Sequence, residues 1–420
     1  MVMFAACLSL PQAPQASKAE REAGHQILNQ VAYDLRHFYY DTRLRGVDLD
    51  SSLKAAHSSI DGAANISQIW GIIEEVLLKF NDSHTFFIPP PWTFRVDYGF
   101  SIQIVGDRCL ITEVEPRSDA EAKGLLPGDE VYSIDGIWPT RDNMWKFEYL
   151  YHTLRPKKGM KVVIQKSDGS QPDFEVQAKT TPSHAIGSTF ELYNRMKFGP
   201  NRRNAHYRDL GDSTIYWRLP TFTAPDEVED GIKRIRKYGS LILDLRGNGG
   251  GYEKTLAALL GALFENDVKI ADRKTRAGIT SSKAQGSGKD AFRGKLVVLI
   301  DSDCASAAEI FPRVIQLEHR GAVIGDRTSG LVMEALRHNH SVGSVSMLLY
   351  GESITEADLI MSDGKSLERV GVTPDETVLP SASDLKEGRD PVLSRAAQLV
   401  GVTLSPTDAA RIVKDESKKK

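Results

Sequence analysis

Residues 297–310 read VVLIDSDCASAAEI: an apolar run, an Asp-Ser-Asp-Cys turn, then a segment of helical character. Ser306 stands at the hinge. A hydroxyl there can act as a nucleophile once a neighbouring base takes its proton. It can equally cap a helix, because Ser306 and Glu309 have the Ser-x-x-Glu spacing of a capping box. Both readings stand on local grounds. A second stretch, DLRGNGGGY at 244–252, sets Gly249, Gly250 and Gly251 in a row behind another apolar run. Glycine lets the backbone turn sharply and approach a substrate closely. The N–H groups of such a turn can hold the negative oxygen of a tetrahedral intermediate. A plain strand-to-helix turn has the same composition. A phosphate loop is excluded, since neither G-x-G-x-x-G nor G-K-S/T occurs there.

Both segments need a scaffold. TIYWRL (214–219), SLILDLR (240–246), KLVVLID (295–301) and AVIGD (322–326) have the apolar continuity of strands, with helical patterns between them at 225–238, 253–265 and 305–318. Alternation of this kind predicts an α/β core with a mostly parallel sheet covered by helices on both faces. Ligands bind such sheets beyond the carboxyl ends of the strands, where both segments fall. The Gly-, Ser- and Lys-rich stretch 275–294 reads as an exposed, mobile loop. Upstream, Ile27, Val31, Leu35 and Phe38 share one face of a helix over 18–41, and a second helix covers 66–80. Three prolines in NDSHTFFIPPPW end that helical region. From Tyr98 the texture becomes short alternating strands, YGFSIQIV, CLITEVEP, EVYSIDG and KVVIQK, in a module of roughly 85 residues. The predicted division is 1–17 as a leader or extension, 18–94 as an N-terminal helical region, 95–182 as the β-rich module, 183–402 as the core and 403–420 as a tail.

Composition narrows the function. The chain has 420 residues, 41% hydrophobic and 26% charged, with a formal net charge of −3. That balance gives no electrostatic footprint for nucleic acid. Cys7, Cys109 and Cys304 are scattered and odd in number, so no disulfide framework, zinc site or other metal centre is expected. No apolar run reaches the ~20 residues of a membrane span. The opening MVMFAACLSLPQAPQA has an apolar stretch followed by small residues and prolines, like the end of a secretory signal, but lacks a basic start. The expectation is a periplasmic or secreted protein, with the cytoplasm as the alternative.

Four landmarks in order resemble the C-terminal processing (tail-specific) peptidase family over about 18–402. LILDLRGNGGG is similar to that family's D-L-R-x-N-x-G-G segment. CASAAEI is similar to its S-A-S-A-S-E-I segment, whose central serine, the nucleophile, falls on Ser306. GDRTSG (325–330) and RVGVTPDETV (369–378) match two further landmarks. The module at 95–182 resembles a PDZ domain through YGFSI (98–102) and EAKGLLPGDEVYSIDG (121–136). The resemblance implies a crotonase/ClpP-like mostly parallel core with an inserted PDZ domain. It also implies a serine peptidase without cofactor, acting on polypeptides with a free C-terminus. Tyr98, Gly99, Phe100 and Ile102 would bind the peptide end.

One departure matters. The lysine that serves as base in Ser/Lys members is Leu331 here, and the glutamine four residues later is Ala335. The chain is similar instead to the tricorn branch, which carries a Ser-His pair before the PDZ region and a glutamate near G-V-x-P-D. That resemblance assigns Ser306 as nucleophile, His84 as base, and Ser83 and Glu368 as the groups that orient the imidazole. Gly249 or Gly250 with Ala307 would form the oxyanion hole. Ser183-His184, His319, His338 and His340 are rival sources of a base, and Asp244 and Arg246 read as structural. A catalytically silent PDZ-bearing peptide-binding scaffold is the main alternative. Acyl-CoA chemistry on a crotonase-like core is a third.

Overall fold

The computed structural model describes residues 15–166, 168–182, 205–343 and 347–414. Most of the leader-like 1–17, the Ser183-His184 pair and the end of the tail lie outside the described residues.

Three helices open the chain: α1 (Lys18–Phe38), α2 (Leu49–Asp61) and α3 (Ile66–Leu78). Each begins at a side-chain cap, Ser17, Asp48 and Asn65, which accepts an otherwise orphaned N–H of the first turn. Ile27, Val31 and Leu35 of α1 are fully buried against Ile69 and Ile73 of α3, as their spacing requires, whereas Phe38 at the helix end is exposed. Strand β1 (Phe86–Ile88) follows the turn that carries Ser83 and His84.

Strand β2 (Phe94–Asp97) pairs with β8 (Lys179–Pro182) as a two-stranded stem. Between them β3 (Phe100–Val105), β4 (Arg108–Val114), β5 (Glu130–Ile134), β6 (Gly159–Gln165) and β7 (Asp173–Gln177) form an antiparallel sheet in that order. Helices α4 (Asp119–Ala122) and α5 (Met144–Tyr149) accompany it, around a core of its own that includes Ile104, Ile111, Val131 and Val162. Strand β3 is an edge strand.

The remainder contributes β9 (His206–Asp209), β10 (Thr214–Arg218), α6 (Pro225–Ile235), β11 (Ser240–Asp244), α7 (Glu253–Gly261), β12 (Val268–Thr275), β13 (Gly278–Ala284), β14 (Lys295–Ile300) and α8 (Ala307–Leu317). Then come β15 (Ala322–Gly325), β16 (Met333–Val342), β17 (Leu348–Ile360), β18 (Glu376–Thr377) and helices α9 (Ala382–Glu387), α10 (Pro391–Val400) and α11 (Pro406–Lys414). A six-stranded sheet runs β18-β15-β14-β11-β10-β9. Its side chains alternate between faces, as the strand period dictates. Leu241, Leu243 and Val298 pack with Val228, Leu256 and Val314 of α6, α7 and α8, while Ile242, Val297 and Leu299 pack with Leu393 and Ala396 of α10.

The expected crotonase/ClpP-like, mostly parallel core is corrected by the pairing. Ten of the fourteen strand pairings among the described residues are antiparallel. A second five-stranded sheet, β1-β17-β12-β13 with β16 on β17, is antiparallel throughout. The fold is a mixed, mostly antiparallel set of sheets with helices. The cause of the misreading is visible in β12, β13 and β16, strands that are largely polar and half-exposed or exposed and so lack the apolar continuity that marks a buried strand. The stretch 275–294, read as a mobile loop, is for the most part strand β13 and its turn into β14.

Candidate active site

Ser306 is the N-cap of α8 and stands at the end of the short turn that leaves the central strand β14. Its backbone is at φ +56°, ψ −122°, a conformation that costs a non-glycine residue about 1–3 kcal/mol. Two hydrogen bonds hold it there. The Ser306 N–H donates to the Leu331 carbonyl at 2.9 Å and, more loosely, to Glu309 Oε2 at 3.2 Å. The second is one arm of the capping box that the spacing predicts.

Glu309 does more than cap. It is fully buried and also accepts from Thr328 Oγ1 (2.5 Å), Gly330 N (2.8 Å) and Leu331 N (2.9 Å). Burial pushes its carboxyl up to about 7, against the pull of these donors. One carboxylate thus ties the start of α8 to the 328–331 loop. The Ser-x-x-Glu spacing points to Glu309, but its long-range partners have no local signal.

The Gly-rich turn leaves the neighbouring strand β11 and closes on Ser306. A Cβ added at Gly250 would lie 2.7 Å from Ser306 Cβ, 2.8 Å from Ala305 O and 3.1 Å from Ala307 N, and φ there is +96°. Only glycine fits. Asn248, also buried, braces the turn: its Oδ1 accepts Gly250 N–H (2.8 Å), its Nδ2 donates to Leu219 O (2.9 Å), and its carbonyl accepts Ala305 N–H (3.0 Å). Gly250 N–H is therefore engaged. Asp244 and Arg246, at the foot of the same turn, bind each other and, through Arg246, Asp390. Despite its complete burial, the Arg246 and Arg218 guanidiniums hold the Asp244 carboxyl well below the usual range. This is a buried ion network at the carboxyl ends of the interior strands β10 and β11.

Ser83 and His84 sit on the turn between α3 and β1. Asp82 shapes it: Oδ1 accepts the His84 N–H (3.0 Å), the Thr85 N–H (2.7 Å) and the Thr355 hydroxyl (2.9 Å), and Oδ2 accepts the Tyr39 hydroxyl (2.7 Å). Asp82 escaped the sequence reading, although Asp two residues before a turn N–H is an Asx-turn signal. Ser83 donates its N–H to Glu368 Oε1 and its hydroxyl to Glu368 Oε2, each at 2.8 Å. Ser83 Oγ lies 2.7 Å from His84 Nδ1. Because the Ser83 proton goes to the carboxylate, its oxygen is left to accept Nδ1–H. That sets the imidazole tautomer with its lone pair on Nε2. Glu368 also accepts Val332 N–H at 2.9 Å. Burial pushes its carboxyl above the usual range, partly offset by Ser83, Val332 and the neighbouring Arg369.

The two halves meet at Leu331–Val332. Leu331 O holds Ser306 and Val332 N holds Glu368, so bond lengths cap the distance from Ser306 N to the Glu368 oxygen at about 8.4 Å. Leu331, where the lysine would stand, is buried with Trp145 of α5 and Ala305.

Of the remaining candidates, His319 lies just past α8. His338 stacks on Phe38, and His340 meets Asp34 and Glu352. Tyr98 is buried with its hydroxyl on Lys157 O (3.0 Å). Gly99 has φ +71° and packs on Ser118. Phe100 and Ile102 are half-buried on β3. The β3 edge meets the loop before Ser306: Gln103 donates to Asp301 (2.8 Å) and Asp303 (3.0 Å), and the Ser302 hydroxyl donates to Ile104 O (2.5 Å).

Residues 213–378 match the model of peptidase family S41. The tail-specific protease of Haemophilus influenzae is 27% identical over 273 residues, 59% of this chain and 36% of its own length. A tricorn protease homolog of Streptomyces coelicolor is 29% identical over 398 residues, 88% of this chain and 32% of its own. The chain thus spans about a third of the length of each of these relatives. Among solved structures, mature CPAF superposes with a TM-score of 0.65 at 15% identity, covering 87% of this chain and 94% of that one, a likeness of fold.

Proposed function

We propose that the chain, whose residues 213–378 match the model of peptidase family S41, is a serine peptidase of the C-terminal-processing (tail-specific) kind that hydrolyses polypeptides through an acyl-enzyme on Ser306. The observation that carries this reading is the Glu368–Ser83–His84 relay beside the strained Ser306 turn. His84 Nε2 takes the Ser306 proton as the hydroxyl attacks the scissile carbonyl, then delivers it to the leaving amine. Water repeats the cycle to release the acyl group. Ser83 and Glu368 orient and polarise the imidazole and do not touch substrate. Ala307 N–H, at the start of α8, and Gly249 N–H receive the developing oxyanion, favoured by the positive end of the helix. Gly250 serves by closeness, its own N–H being held by Asn248.

On this reading residues 95–182 act as a PDZ-like module. An extended peptide end adds to the edge of β3, its carboxylate meets the backbone near Gly99, and Phe100 and Ile102 shape an apolar pocket. The link from Gln103 to Asp301 and Asp303 supports a path from that edge toward Ser306. A fluorophosphonate probe tests the proposal: the wild-type chain labels on Ser306, and His84→Ala labels at least a hundredfold more slowly with its circular dichroism unchanged. A wild-type chain that fails to label is the peptide-binding scaffold that Leu331 in place of the lysine would suggest.

A further inference from the structure

Away from that site, Asp34 of α1, His340 of β16 and Glu352 of β17 bring one ligand atom each to within 4.8 Å of one another. Asp34 Oδ2 is 2.7 Å and Glu352 Oε1 3.0 Å from the same nitrogen, His340 Nε2. Asp34 and Glu352 are 2% and 0% exposed. One ring nitrogen carries at most one proton, so it cannot fully satisfy two carboxylates. Gln30 supplies only Asp34 Oδ1, at 3.1 Å. Glu352 Oε2, completely buried, has no hydrogen-bond partner. Two buried acceptors and one imidazole therefore face a space with too little positive charge.

We propose that Asp34, His340 and Glu352 form a binding site for a divalent first-row transition-metal ion, zinc foremost, that clamps α1 to the β16–β17 hairpin. One nitrogen and two carboxylate oxygens form a zinc-type donor set, whereas calcium and magnesium prefer oxygen alone. His340 is the one part-exposed member of the three. Zinc–ligand lengths of about 2.0–2.2 Å require the two carboxylate oxygens to move away from His340 Nε2 by roughly half an ångström. The site is structural. Glu352 pairs across the sheet with Phe87 of β1, three residues past His84, so the clamp steadies the strand that follows the Ser-His turn.

The test uses the full chain stripped with a chelator and titrated with zinc chloride alone. Calorimetry is expected to show one zinc per chain, and the melting temperature to rise by several degrees. Glu352→Gln and His340→Gln each lose at least tenfold in zinc affinity and lose that rise. Should Glu352→Gln not fold, His340→Gln at its part-exposed position carries the same reading. His57→Ala, which removes the part-buried His25–His57 pair, leaves binding intact. Absence of one-to-one binding, binding unaltered in the folded variants, or binding lost only in His57→Ala overturns the proposal. The first of these results would mean that Asp34 and Glu352 share a proton instead.

Discussion

Ser83 and Glu368, 285 residues apart in the chain, are joined twice, the carboxylate receiving both the N–H and the hydroxyl of the serine at 2.8 Å. The double bond of contacts fixes which way Ser83 Oγ points and therefore which nitrogen of His84 is protonated. Removing either partner leaves the imidazole present but its tautomer no longer set by Ser83. Ser83→Ala and Glu368→Gln are expected to lower kcat by about 10–100-fold with little change in KM, whereas His84→Ala lowers it by about 10²–10⁴-fold. Steady-state kinetics on a peptide with an apolar C-terminus separates these outcomes. Equal losses for all three would mean that the relay acts through folding.

Restoring the lysine of the Ser/Lys branch is expected to harm the protein. Leu331 lies in an apolar contact with Trp145 and Ala305. An ammonium placed there would meet Trp145 and Ala305, while the nearby Glu309 and Glu368 carboxylates are already engaged by backbone donors, so it must deprotonate or distort the loop. Leu331→Lys should lower stability by about 2–4 kcal/mol in a urea titration and raise no activity in a His84→Ala background.

Glu309 predicts a pH dependence of stability. Its folded value of about 7 lies above the 4.5 of an ordinary glutamate, so the native state binds the extra proton between them. Its contribution is fully present below about pH 4.5 and is lost as pH rises through 7. The loss is on the order of 3 kcal/mol at most. Glu309→Gln, which cannot ionise, should flatten urea-derived stability across pH 4.5–7. An unchanged slope would assign the titration to another group.

Gly250→Ala should abolish probe labelling of Ser306. The added methyl would fall 2.8 Å from Ala305 O and 2.7 Å from Ser306 Cβ, at a φ that L residues rarely adopt. The backbone must shift, at a cost of about 1–3 kcal/mol. A fully labelled Gly250→Ala variant would show that the Ser306 turn does not need this close approach.

Legibility of the fold followed burial. Leu241, Ile242 and Leu243 lie in a strand buried on both faces and stand out as an unbroken apolar run. Strand β16, MEALRHNHSV, is half-exposed along most of its length and leaves no such trace, so the antiparallel sheet it joins went unread. At the site, local spacing carried the helix start at Ser306 and the glycine turn. What could not be read was whatever depends on distant backbone: Val332 N–H on Glu368, Leu331 O on Ser306, and the three loop donors gathered by Glu309. Asp82 could have been read from its turn, and was hidden by the attention that a Ser-His pair draws.

The bond from Leu331 to Ser306 and the pair of bonds from Glu368 to Ser83 also set a clock. A ribosome that has just delivered the serine has not yet made the residues that hold either half of the machinery. On the proposed reading the relay therefore assembles only after Glu368 has emerged, which ties its completion to synthesis of the 331–368 segment.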